Sequence, residues 1–114
     1  MNEERTQTVA ALSVIDYLER EYKKALTAEV NAKHDFKVSY AVEYRKADGT
    51  VEERKQIAVE KTEKIYKIFL QAEMERRLTK VKLDDAQLTL SARQSLLSAS
   101  AKGNFGYANN REIT

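Results

Sequence analysis

Four cations in the second half of the chain, Arg76, Arg77, Lys80 and Lys82, form the densest patch of chemistry in this sequence. Such a cluster can neutralise backbone phosphates, so it nominates a DNA or RNA contact. Glu60, Glu63, Glu73 and Glu75 are interleaved around it, which is the pattern of an ordinary solvated helical face. Other reactive types are sparse. His34 is the sole histidine and stands beside Asp35, where an imidazole more often caps a helix end than acts as a base. Asp84 and Asp85 are adjacent, and helical neighbours point about 100° apart, so they do not converge on a metal. With no cysteine and one histidine, neither a metal site nor a cofactor is expected. No glycine-rich phosphate loop and no nucleophile elbow occurs. The chain is expected not to be an enzyme.

The run Lys102-Gly103-Asn104-Phe105-Gly106-Tyr107 resembles the basic-Gly-aromatic-Gly-aromatic strand of single-strand-binding domains, where the aromatics stack on bases. An extra Asn breaks that spacing here, and the run follows a helical pattern instead of lying in a sheet. Phe105, Tyr107 and Arg111 are better placed as contact residues of an arm that orders on a partner.

Composition bounds what can hold these residues in place. A chain of 114 residues with 8% aromatic and 33% charged side chains forms one domain with a thin, mostly aliphatic core. No proline and only three glycines favour long regular elements. The absence of cysteine makes a cytoplasmic location the default. No apolar run approaches the length of a membrane span, so no membrane contact is expected. The net charge is +2, and the surplus falls wholly on residues 60–82, with seven basic against four acidic side chains.

The elements follow from periodicity. Ala11, Leu12, Ile15, Leu18, Tyr22, Ala25 and Leu26 share one side of a helix over the first thirty or so residues. From Phe36 the pattern changes. Phe36, Val38, Tyr40, Val42 and Tyr44 alternate with Lys37, Ser39, Ala41, Glu43 and Arg45, as a half-buried strand would. Asp48-Gly49 then predicts a two-residue turn, and the resulting register sets Arg45 opposite Glu52, Glu43 opposite Arg54, and Tyr40 opposite Ile57. A β-hairpin over 36–59 is the expectation, with Tyr44, Arg45 and Lys46 near its tip as partner contacts.

A second helix is expected from Glu60 to about Lys82. It carries two apolar stripes: Ile65, Ile68, Phe69 and Ala72, then Leu70, Met74, Leu78 and Val81, with Tyr66 between them. A helix with two apolar sides usually has two neighbours. A third helix is expected to start at Asp84, which forms a capping box with Gln87, and to stop at Lys102-Gly103. Only Arg93 is charged between Gln87 and Ala101, which points either to an intermolecular contact there or to a Ser/Ala-rich helix lying in the chain's own groove.

The expected fold class is therefore α+β and predominantly helical: long helix, β-hairpin, helix, helix, in one domain over residues 1–103, with a flexible tail or arm at 104–114. The expected function is a small non-catalytic interaction or assembly protein of bacterial or phage type. It would be a homo-oligomer presenting the hairpin and the C-terminal arm to a protein partner. The alternative is a DNA- or RNA-binding accessory protein using the basic end of the second helix.

Overall fold

The structure is a computed structural model that describes the backbone of residues 2–113 and the side chains of residue 3 and residues 5–100. Three helices follow one another: α1 (Asn2–Lys46), α2 (Val51–Lys61) and α3 (Glu63–Ile113). There is no strand among the described residues, so the class is all-α. The radius of gyration is 25.3 Å and the extents are 84 × 32 × 13 Å. A compact chain of this size has a radius of gyration of about 13 Å. The molecule is a rod.

The rod is built by α1 running out and α2 and α3 running back beside it. Ile15, Tyr22, Glu29 and Phe36 step seven residues at a time along α1. Leu90, Leu83, Arg76 and Phe69 step seven back along α3. Ile15 packs with Leu83 and Leu90, and Tyr22 lies against that cluster. Glu29 meets Arg76, and Phe36 stacks on Phe69 with ring centroids 6.3 Å apart. Leu18, Ala25 and Ala32 fill the intervening seam positions of α1; Ile65, Ala72, Thr79 and Ala86 fill those of α3. Alternating steps of four and three residues define a coiled-coil seam, here antiparallel within one chain. Four of these intervening residues, Ala25, Ala32, Ala72 and Ala86, are alanines that let the two backbones approach closely but bury little apolar surface.

The reversal sits at residues 47–50. Gly49 has φ +118°, a conformation that side chains disfavour. Thr50 then caps α2, its side-chain oxygen accepting from the Glu53 amide at 3.3 Å. Arg54 locks the corner from inside: its Nε donates to the Ala47 carbonyl at 2.9 Å and its guanidinium lies 5.1 Å from the Tyr44 ring centre. α2 and α3 are nearly one helix, divided at Thr62. That residue is 1% exposed, and its hydroxyl donates back to the Ala58 carbonyl at 2.6 Å. Back-bonding of this kind bends helices.

These facts correct the expected α+β class. No β-hairpin spans 36–59. Phe36, Tyr40 and Tyr44 are four apart, so a helix aligns them as well as a strand does. The helix wins because Phe36 finds Tyr66 (5.0 Å, edge-on) and Phe69 across the seam, while Val38 and Val42 are left exposed on other faces. Glu43 pairs with Lys61 at 3.8 Å instead of Arg54. Nor does a third helix start at Asp84, which lies inside α3 and accepts an ion pair from Lys80 at 3.0 Å. No helix stop falls at Lys102-Gly103, since α3 runs to Ile113; the side chains of Phe105, Tyr107 and Arg111, expected in a tail at 104–114, lie outside the described ones.

The corner gives a direct test. A Cβ at Gly49 would force an L-residue to positive φ and would meet the Glu53 side chain. Gly49→Ala is expected to destabilise the fold by roughly 1–3 kcal/mol, read as a lower thermal midpoint by circular dichroism. An unchanged midpoint would contradict the helical corner.

Candidate interaction surface

One side of α3 is committed to α1, and the opposite side faces solvent. Leu70, Met74, Leu78, Val81, Leu88 and Leu96 all project there, between 43% and 71% exposed. At about 100° per residue they fall within about 40° of a common line, roughly half a turn from the seam residues Ile65, Phe69, Ala72, Arg76 and Leu83. The two apolar stripes read from the sequence are therefore real faces of one helix. Only the first has a partner within the chain.

The stripe continues into a recess of about 420 Å³ at the bend, lined by Phe36, Val59, Thr62, Tyr66 and Leu70, with Glu63 and Lys67 at its edge. Its floor is aromatic: Tyr66 stands edge-on to both Phe36 and Phe69, at 5.0 and 6.3 Å. Two alanine-sized positions farther along, Ala92 and Ala99, extend the same outer line toward the C-terminal end of α3.

The basic cluster is divided by the fold. Arg76 turns into the seam and grips Glu29 with two hydrogen bonds, Nε at 2.5 Å and Nη2 at 3.3 Å. Arg77 pairs with Glu73 at 3.1 Å, and Lys80 with Asp84 at 3.0 Å while lying 5.6 Å from the Tyr22 ring centre. Among the described residues of this cluster, Lys82 alone lacks an ion pair. The hydrogen bond to Asp84 and its charge raise the pKa of Lys80. Three of the four charges are thus balanced locally, which weakens their collective pull on a phosphate backbone. Tyr44 is half-buried beneath Arg54, while Arg45 and Lys46 are exposed in the last turn of α1, at the corner end of the rod.

The Glu29–Arg76 pair was not foreseen. By spacing, Glu29 has an intrahelical partner in Lys33, yet it reaches across 47 positions of chain instead. The available signal was its place seven residues from both Tyr22 and Phe36, on the line that becomes the seam. The Arg76 hydrogen bond, ahead of the surrounding positive charges, holds the Glu29 carboxyl below the usual glutamate range.

Among the described residues no helix is long and apolar enough to cross a membrane. The fold and surface define a class, an antiparallel α-helical hairpin with an uncovered second heptad face. Comparison with protein families, curated proteins and solved structures gives no match to this chain.

Because the folded pKa of Glu29 is depressed, its contribution to stability is present above the unfolded value, about 4.3, and is lost as pH falls through the folded one. Glu29→Gln is therefore expected to lower the urea midpoint at pH 7. The gap from the parent chain should stay constant to about pH 5 and close progressively in more acid solution. A gap that widens with acidification would refute the assignment.

Proposed function

We propose that the protein is a non-catalytic helical assembly module that forms a homo-oligomer through the outer face of α3. The observation that carries this is the ordered exposure of Leu70, Met74, Leu78, Val81, Leu88 and Leu96 along one line. Scattered apolar residues on a surface are ordinary; a line of large apolar residues that recur every one to two turns along one side is what another helix covers.

Areas support the same conclusion. The chain exposes 9198 Å², against about 6,400 Å² for a compact monomer of its mass. The excess, about 2,800 Å², exceeds the about 1,600 Å² total that a standard interface buries. The intramolecular core is correspondingly small. Four of the seven apolar residues buried in it are alanines, so large side chains stabilise the seam at few points. Covering the second face supplies what a lone two-helix rod lacks.

Two substitutions separate the faces. Leu83 is 5% exposed in the seam, so Leu83→Ala is expected to destabilise the folded chain by about 2–5 kcal/mol. Leu78 is on the outer face, so Leu78→Glu is expected to retain helicity while converting the oligomer to monomer in light scattering. A parent chain that is monomeric at high concentration, or a Leu78→Glu chain of unchanged size, would dismiss the assembly.

A further inference from the structure

The outer face has an internal symmetry that specifies how two copies meet. Along its stretch from residue 67 to residue 85 stand Lys67, Leu70 and Met74, then Leu78, Val81 and Asp85, with the Glu73–Arg77 pair at the flank; Leu88 and Leu96 lie beyond this stretch. Folded about a point between residues 75 and 76, each member of the first set meets one of the second. Met74 meets Leu78, Leu70 meets Val81, Glu73 meets Arg77, and Lys67 meets Asp85. Apolar residues match apolar residues, and each charge matches its opposite. A two-fold interface requires such self-complementarity, because the same patch serves both subunits.

We infer that two copies of this chain associate with their α3 helices antiparallel, crossing near residues 75 and 76, with Lys67 of each against Asp85 of the other. The inference rests on the assembly proposed above and gives its partner an orientation. A parallel, in-register pair would align the same apolar residues but would set Lys67 against Lys67 and Asp85 against Asp85, which like-charge repulsion opposes. The antiparallel arrangement also joins the existing Glu73–Arg77 pair (3.1 Å) to its symmetry copy, making a four-charge network beside the central Met74 and Leu78. Among the described residues Asp85 has no ion-pair partner, which leaves it available for the contact. Lys67 is held by Glu63 at 3.2 Å through an exposed pair that a second acceptor can join.

The test is a charge exchange in the full chain. Lys67→Glu and Asp85→Lys, singly, are each expected to weaken dimerisation roughly tenfold, since symmetry repeats every lost pair twice. The double variant, Lys67→Glu with Asp85→Lys, is expected to return to within about threefold of the parent. Analytical ultracentrifugation reads all four constants, and circular dichroism confirms that helicity is kept. Because the chain lacks cysteine, a spin label at Thr89→Cys reports on a single site per subunit. Antiparallel packing predicts a separation of roughly 40 Å between the two labels, and parallel packing roughly 10–15 Å. A dimer with the short separation, or single variants that dimerise like the parent, overturns the antiparallel order while leaving self-association standing. A parent chain that never dimerises overturns both.

Discussion

Close approach of α1 and α3 along an alanine-rich seam is the constraint that shapes the rest of this molecule. Ala25, Ala32, Ala72 and Ala86 let two long helices lie side by side for most of their length. The same small residues leave the seam poor in large contacts. Those it has are sorted, with Ile15, Leu83 and Leu90 on the side of the chain ends and Phe36, Tyr66 and Phe69 on the side of the corner. Between the two groups stands Glu29–Arg76. A heptad seam is nearly invariant to a slip of one repeat, so apolar pattern alone fixes its register weakly. A slip of seven would place Glu29 opposite Phe69 or Leu83 and leave Arg76 without its carboxylate. A polar pair at a seam position is a known means of excluding such alternatives.

How much of this was legible in the sequence depends on which periodicity is asked of each stretch. The amphipathic first helix and the double-striped second were readable, because their apolar residues recur at three and four over several successive turns. Residues 36–44 satisfied both periods, since every second member of an alternating run is also four from the next. The choice between strand and helix there rested on partners far along the chain, Tyr66 and Phe69, which local pattern does not reveal. Asp48-Gly49 was read correctly as a reversal and wrongly as a strand reversal. Its Gly supplies positive φ in either setting, and Thr50 with the Glu53 amide makes it a helix start. The same ambiguity explains Asp84, whose acid–x–x–Gln pattern occurs within helices as freely as at their beginnings.

The outer surface was legible in part for a related reason. Two stripes on one helix could be seen without knowing which was covered, and only the seam assigns that. The exposed apolar residues of α1, such as Val9, Tyr17, Val30, Val38 and Val42, do not fall on one line, and isolated ones of this kind call for no partner. Those of α3 follow one another at three to eight positions along one line, so α3 carries the denser second face. The basic residues misled for the opposite reason. Their clustering in sequence is undone by helical geometry, which sends Arg76 inward and leaves Arg77 and Lys80 beside carboxylates on their own helix.

The corner at Gly49 has a mechanical corollary. Both arms of the rod leave it side by side, so every cross-seam contact is closed in sequence order, the nearest first. Tension applied to the two chain ends would load these contacts one after another and never together. Such a molecule resists weakly when peeled from its open end and strongly when pulled lengthwise by opposite tips. Whatever holds it in the cell, the direction of load would matter more than its size.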